Sequence, residues 1–439
     1  MPERACAVER TDRTPRGTHT DGTVNRIPLA AGCPAACGHV AAIKAVTIMS
    51  TSIREREGAH AAPEAHMPRA VVASARIAQA RTLAINGKFA SQRMTGVQRV
   101  AYELTAELAR IAGADDAPPV IVPSVHDSTA LPAGARRQVA PGLHGTLWEQ
   151  WTLPRATRGR TLLSLCNVGP LMKRDQVLLI HDAAIFDLPA GYSLAFRVWY
   201  RIAFAILKRR ARHVVTVSHF SRARLAARLG VPPARVSVVP GAVDHIDRID
   251  ADPGVLARLQ LERDGYVLFV GSLAPGKNLG RALEAIGRLR RSHPAMRFVI
   301  AGGANAKIFG DASAAPCADD PHVTWAGYVT DGELKALYEA AGCFVFPSLY
   351  EGFGLPPLEA MRSGCPVIVS REGALPEVCG GAALFCDAYD AADIAATIAR
   401  VMDDAGLRAR LRARGIEHAR SFSWRASAHA LLGIVRRGE

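Results

Sequence analysis

Residues 343–361 read Cys343-Phe-Val-Phe-Pro-Ser-Leu-Tyr-Glu351-Gly-Phe-Gly-Leu-Pro-Pro-Leu-Glu359-Ala-Met361. The first four residues are apolar and rich in aromatic and β-branched types, which predicts a short buried strand. Gly352 and Gly354 let backbone N–H groups approach a ligand closely. Pro356 and Pro357 sit well at the opening of a helix predicted over 357–363. A strand running through a glycine loop into a helix N-terminus suits an anionic ligand. Glu359, expected in the first helical turn, can accept hydrogen bonds from vicinal hydroxyls such as a ribose pair, and Glu351 can face a second hydroxylated ring. Each glutamate alone also fits a plainer role, as a dipole-stabilising residue or a solvated loop residue. Together in this loop they favour a ligand.

The surrounding pattern alternates. Strands are predicted at 266–270, 298–301, 323–325, 343–346 and 366–370, with helices at 278–291, 332–341, 357–363 and 391–402. An upstream series has strands at 83–85, 120–122, 162–165, 177–180, 214–217 and 236–239, and helices at 97–111, 196–212 and 221–229. Strands alternating with helices imply parallel sheets covered on both faces. The fold class is therefore α/β, with two doubly wound Rossmann-like domains facing a central cleft where strand ends bind ligand. The polar stretch 244–254 is the expected linker, giving an N-terminal domain at 79–248 and a C-terminal domain at 249–439. Residues 1–78 carry almost no aromatics and no clean periodicity, so they are expected to be a disordered extension. Cys33 and Cys37 within it have CxxxC spacing without a second pair, which does not make a metal site.

The 439 residues hold 54 basic and 40 acidic side chains, a net charge of +14. No zinc-finger spacing, aromatic RNA-binding signature or long basic tract accompanies that charge, so nucleic acid is not the expected partner. Small polyanions or an anionic membrane surface are. No apolar run reaches the ~18 residues of a membrane span, and the N-terminus lacks an apolar signal region. Nine scattered cysteines fit a reducing compartment. The expected location is cytoplasmic, with peripheral contact on the inner membrane face through the basic, apolar-faced stretch 197–212. That stretch equally fits a helix that covers the sheet and solvates its basic face.

Glu351 and Glu359, with seven residues between them, resemble the E-x7-E signature of retaining glycosyltransferases of family 4, which have the GT-B fold. Val267-Leu-Phe-Val-Gly271-Ser-Leu-Ala-Pro-Gly276-Lys277-Asn278 is similar to that family's strand, loop and donor-phosphate lysine. Ile180-His181-Asp182 resembles its catalytic-histidine segment. Asn86-Gly87-Lys88 through Thr95-Gly96-Val97 resembles its N-terminal glycine loop, and Val239-Pro240-Gly241-Ala-Val-Asp244 the end of its first domain. The resemblance runs from about residue 82 to Trp424. It implies His181, Lys277 and Glu351 as catalytic residues. Gly96, Ser272, Lys277, the backbone of Phe353, Gly354 and Leu355, and Glu359 would bind the donor. It further implies a hexose, with mannose from GDP-mannose as the leading donor, passed to a glycan or lipid-linked acceptor. No metal and no resident cofactor are expected, because Lys277 and a helix N-terminus would carry the diphosphate. A last helix packing back on the N-terminal domain is also implied.

Two positions depart from the family pattern. Gly276 and Ser272 stand where an arginine is common, so a positive charge on the diphosphate would come from Arg281 or Arg99. Gly241 stands where asparagine is usual. Two other readings compete. Gly271 to Lys277 fits the phosphate loop of a nucleotide hydrolase, but Asn278 replaces the required Ser or Thr. A non-catalytic nucleotide-sugar-binding protein would share the donor residues. Asp250-Ala-Asp252 is formally a DxD, but it lies in the linker rather than after a strand. Gly352-Phe-Gly354 falls short of a dinucleotide fingerprint. Trp148-Glu-Gln-Trp151 fits an acceptor-facing patch or a core role.

Overall fold

A computed structural model describes residues 83–113, 115–124, 126, 131–303 and 320–437. The expected extension 1–78 and the Cys33/Cys37 pair lie outside the described residues. Two parallel sheets organise the rest. The first has seven strands in the order β3-β2-β1-β4-β5-β6-β7. They are β1 (Leu83–Asn86), β2 (Val120–Val122), β3 (Arg137–Val139), β4 (Thr161–Ser164), β5 (Gln176–Leu179), β6 (His213–Thr216) and β7 (Val236–Val238). The second has six in the order β10-β9-β8-β11-β12-β13. These are β8 (Tyr266–Val270), β9 (Arg297–Ala301), β10 (Val323–Gly327), β11 (Cys343–Phe346), β12 (Val367–Ser370) and β13 (Leu384–Cys386). Every pairing is parallel. The expected fold of two doubly wound α/β domains is the observed one.

Central strands β1, β4, β5, β8 and β11 are buried except for half-buried Val270, as their largely apolar runs require. Edge strand β3 (Arg137–Val139) is half-exposed and was not predicted; nor was β13 (Leu384–Cys386). Nine helices of eight or more described residues flank the sheets: α1 (Gly96–Ala112), α2 (Leu194–Arg210), α3 (His219–Leu229), α4 (Leu279–Leu289), α5 (Asp331–Ala340), α6 (Leu355–Arg362), α7 (Ala391–Asp403), α8 (Ala405–Ala419) and α9 (Trp424–Arg437). Helix α4 buries Leu279, Ala282, Leu283, Ile286 and Leu289, the spacing of one apolar face. Helix α5 opens on a capping box in which Thr330 and Glu333 each satisfy the other's backbone N–H. Helix α8 was missed by the sequence reading; α9 is the implied last helix, for which no bounds were given.

One apolar cluster runs through both halves. Leu83, Ile85 and Leu104 of the first half connect through Val239, Ala242, Phe353 and Leu355 to Leu268, Phe344 and Leu358 of the second. Helix α9 packs against α1, so the last helix returns to the first half. The junction is tight at Gly241. A Cβ there would stand 2.9 Å from Phe353 Cε1 and 3.3 Å from Leu355 Cδ2. Gly241→Ala should therefore cost about 1–3 kcal/mol by overpacking, lowering the melting temperature in a thermal-unfolding experiment. Gly280→Ala, exposed on α4 with nothing within 4 Å of its Cβ, should be neutral or stabilising by up to about 1 kcal/mol.

Candidate active site

In each sheet the strand order reverses once, and ligands of doubly wound sheets bind at that switch point. In the first sheet β1 lies between β2 and β4; in the second β8 lies between β9 and β11. The loops that leave the carboxyl ends there are 86–96, 165–167, 271–277 and 347–354. They carry Gly96, Ser272, Lys277, Glu351, Phe353 and Gly354; Leu355 and Glu359 lie in α6, and His181 follows the adjacent β5.

The 271–277 loop ends in a 3-10 turn, Pro275–Lys277. Asn278 adopts a left-handed φ of 60°. Its Nδ2 donates to the carbonyls of Pro347 (3.0 Å) and Ala388 (2.7 Å). The Leu349 N–H donates to the Gly276 carbonyl at 2.8 Å. The two loops are thus tied together, and Lys277 Nζ reaches Glu351 Oε1 at 2.7 Å while lying 4.9 Å from the Phe346 ring centroid. Ser272 is half-buried in the same loop. Gly373 backs Glu351 closely enough that a Cβ would stand 2.6 Å from the Glu351 backbone N and O.

Gly354 takes φ 109° and caps α6, so the helix starts at Leu355, two residues earlier than predicted. Glu359 consequently lies in the second turn, not the first, and is not a dipole-stabilising first-turn carboxylate. Because Pro356 and Pro357 have no N–H, the donors at this helix end are the backbone amides of Phe353, Gly354 and Leu355. Among the described residues none of these three donates to another backbone group outside the helix ladder. Gly96 opens α1, and a Cβ on it would lie 3.7 Å from Leu355 Cδ1, which brings the N-terminal glycine loop beside these amides.

His181 Nε2 donates to the Leu165 carbonyl at 3.0 Å, and its backbone N–H donates to Asn167 Oδ1 at 2.8 Å. A carbonyl only accepts, so the proton is on Nε2 and Nδ1 is left as an acceptor. Burial pushes the imidazole down to about 4, with the Leu165 carbonyl opposing, so the ring is neutral at neutral pH. Gly352 packs directly over this segment: a Cβ there would be 2.7 Å from the His181 carbonyl oxygen and from Asp182 Cβ. Ser218 and Ser221, at the start of α3, donate to the Gly352 carbonyl at 2.6 and 3.0 Å. The next two N–H groups of α3, from His219 and Phe220, donate to the Glu377 carboxylate.

Asp182 was not assigned a role from the sequence. It accepts from the Ala184 N–H at 2.8 Å. Burial pushes its carboxyl up, and the Glu351 charge adds to this while Ala184 and Lys277 oppose it. Asp182, Lys277 and Glu351 therefore form one electrostatic group. Glu359 contacts a different set. Its Oε1 is 3.4 Å from His245 Nε2, and Arg99 senses its charge. His245 and Trp424 also escaped the sequence reading, since no spacing links them to Glu359. Of the two arginines considered for the diphosphate, Arg281 pairs with Glu284 at 3.0 Å on α4, and Arg99 pairs with Asp331 of α5.

In the Trp148-to-Trp151 stretch, Trp148 is buried and donates to the Ala140 carbonyl, and Glu149 is held by Asn86 (2.8 Å) and Lys88 (2.6 Å). Trp151 is 55% exposed. Asp252 accepts from the Gly254 N–H within its own turn. Among the described residues no group of three or more His, Cys, Asp or Glu side chains is placed to hold a metal ion.

Stability should respond to His181 with a definite sign. Its folded-state value lies below the ordinary 6.5, so its contribution is complete above that pH and is lost as pH falls toward 4. Between about pH 7 and pH 5 the wild type should lose about 2 kcal/mol more than His181→Asn in denaturant unfolding.

Comparison with known proteins places these two halves. Residues 94–246 match the family described as Glycosyltransferase Family 4, and residues 257–418 match Glycosyl transferases group 1. The chain is 35% identical over 256 residues to O-antigen chain mannosyltransferase B of Escherichia coli, covering 56% of this chain and 66% of that protein. It is 34% identical over 239 residues to the D-inositol 3-phosphate glycosyltransferase of Acidothermus cellulolyticus, covering 52% and 53%. The matched stretch thus spans between half and two thirds of these relatives. Anabaena Alr3699/HepE in complex with UDP-glucose has a similar fold, with TM-score 0.64 and 14% identity over 81% of this chain and 99% of that one. WaaG, a glycosyltransferase involved in lipopolysaccharide biosynthesis, is similar at TM-score 0.60 and 15% identity over 80% and 99%. With one family match on each half and relatives of this kind, the findings support a GT-B glycosyltransferase of the family 4 type.

Proposed function

We propose that this chain is a retaining, metal-independent glycosyltransferase that moves a hexose, mannose from GDP-mannose as the leading donor, to a glycan or lipid-linked acceptor. The observation that carries the reading is the Lys277–Glu351 pair, on the loop that leads into the amides of Phe353 to Leu355, together with a neutral His181. In the reaction the bond between the anomeric carbon and the diphosphate oxygen breaks, and negative charge gathers on the leaving diphosphate. The Lys277 ammonium and the 353–355 amides are fixed donors for that charge, which is where electrostatic catalysis acts. The acceptor oxygen forms its bond on the same face, and its proton passes to the departing phosphate, so no enzyme nucleophile is needed. Glu351 would hold a donor-sugar hydroxyl and Glu359 the ribose, and His181 Nδ1 would accept from a sugar hydroxyl. Ser272 and Gly96 would flank the diphosphate.

The hydrolase alternative fits less well. Asn278, which stands where a metal-binding hydroxyl would be required, spends its side chain on two backbone carbonyls. A thermal-shift panel of nucleotide sugars should stabilise the protein by about 2.7 kcal/mol at 100 times the dissociation constant of the true donor. A shift with ATP–Mg²⁺ alone would favour the hydrolase. Lys277→Ala should lower turnover by about 10²- to 10³-fold, and Glu359→Ala should raise the donor KM about tenfold, both followed as nucleoside diphosphate release. Full activity in both variants refutes the assignment. Donor binding without release supports the non-catalytic reading.

The acceptor side motivates membrane contact on a cytoplasmic face. Helix α2 buries Ala203, Phe204 and Leu207, which covers the sheet. Its outward face leaves Leu194 (71%), Val198 (48%) and Ile202 (50%) exposed beside Arg201 and Arg209, the composition of an interfacial helix. Among the described residues no helix is long and apolar enough to cross a membrane. Val198→Glu with Ile202→Glu should weaken sedimentation with phosphatidylglycerol vesicles by about tenfold or more. Unchanged sedimentation would leave α2 as a sheet cover only.

A further inference from the structure

Glu359 sits on a long side chain, and the groups that orient it come from two distant parts of the chain. At the start of α9 the indole Nε1 of fully buried Trp424 donates to His245 Nδ1 at 3.1 Å. An indole N–H can only donate, so His245 Nδ1 is the acceptor and its ring proton lies on Nε2. That Nε2 stands 3.4 Å from Glu359 Oε1. The contact is looser than an ordinary hydrogen bond, so it orients the carboxylate without saturating it. Trp424 is itself fixed. Its backbone N–H donates to Asp244 Oδ1 at 3.1 Å, and Ser427 Oγ donates to the Pro240 carbonyl at 2.7 Å. Both partners lie on the stretch that leaves the first half, the same stretch that carries His245. The Tyr338 hydroxyl is buried beside Glu359 and is a second neighbour of its carboxylate.

We propose that His245, oriented by Trp424, is a positioning residue for donor recognition: it turns the Glu359 carboxylate toward the nucleoside ribose. The returning helix α9 thereby contributes to nucleotide selectivity without touching the donor. The proposal rests on the reading of Glu359 as the ribose acceptor. A neutral imidazole with one nitrogen accepting and the other donating is suited to the task, because its tautomer is set from the far side and its proton faces the carboxylate.

The test is calorimetric binding of GDP against 2′-deoxy-GDP, repeated with UDP and 2′-deoxy-UDP. In the wild type the ribonucleotide should bind about tenfold more tightly, the value of a hydrogen bond to a charged group. His245→Phe keeps an aromatic ring against Trp424 and removes both nitrogens, so the preference should fall to about threefold or less. His245→Gln places an amide N–H near the Nε2 position and should restore most of it. A purely structural histidine would lower both affinities together and leave their ratio unchanged. Should His245→Phe fail to fold, Trp424→Phe carries the same comparison. A wild-type preference that survives these variants overturns the positioning role alone. A wild type that does not distinguish the two nucleotides overturns the ribose reading, and this proposal with it.

Discussion

The carbonyl of Gly352 is the point from which the rest of the site takes its geometry. Two buried hydroxyls from the first half, Ser218 and Ser221, hold it, and the absence of a Cβ lets the loop press against His181 and Asp182. Each such hydrogen bond is worth only about 1 kcal/mol net. Their leverage comes from position, because Glu351 and the amides of Phe353 to Leu355 flank that carbonyl in sequence. The α3 helix adds a second grip, with two of its first N–H groups on Glu377. A helix N-terminus from one half and a glycine loop from the other are thus fixed in register.

Electrostatics follows from that registration. The Lys277 ammonium is paired with Glu351, with Asp182 close by. Burial is the main cause of the rise of Asp182, with the Glu351 charge adding to it and Lys277 opposing. A diphosphate offers a stronger partner for Lys277 than Glu351 does, through charge and through several acceptor oxygens. On the proposed reading, exchange of partner frees Glu351 to accept from a sugar hydroxyl.

The sequence made the central strands legible because each is a continuous apolar run bounded by turn residues, as at 266–270 and 343–346. It did not show Arg137–Val139, a half-exposed edge strand with no apolar pattern. It did not show helix α8 either, whose buried Leu407 and Leu411 are separated by arginines. Within the site, Lys277 and Glu351 were nameable from local motifs, and the structure brings them together. The register of Glu359 was misjudged because the left-handed cap at Gly354 starts the helix ahead of its proline pair. His245 and Trp424 were out of reach altogether. They stand 179 residues apart in sequence, and their contact exists only through the path of α9.

Gly241 shows how a local departure becomes intelligible in space. Asparagine is usual there in the resembling family, and the sequence offers no reason for its loss. In the folded chain the volume beyond the Gly241 Cα is filled by the Phe353 ring and Leu355. Phe353 also meets Phe422 edge-on, with centroids 6.0 Å apart. Phe353 comes from the opposite half, and its amide is one of the three at the start of α6. A larger residue at 241 would have to move Phe353, and with it the amide and the Gly352 carbonyl that Ser218 and Ser221 hold. The departure is one side of a packing contact whose other side is the 347–354 loop, so the size of residue 241 and the placement of that loop are a single constraint.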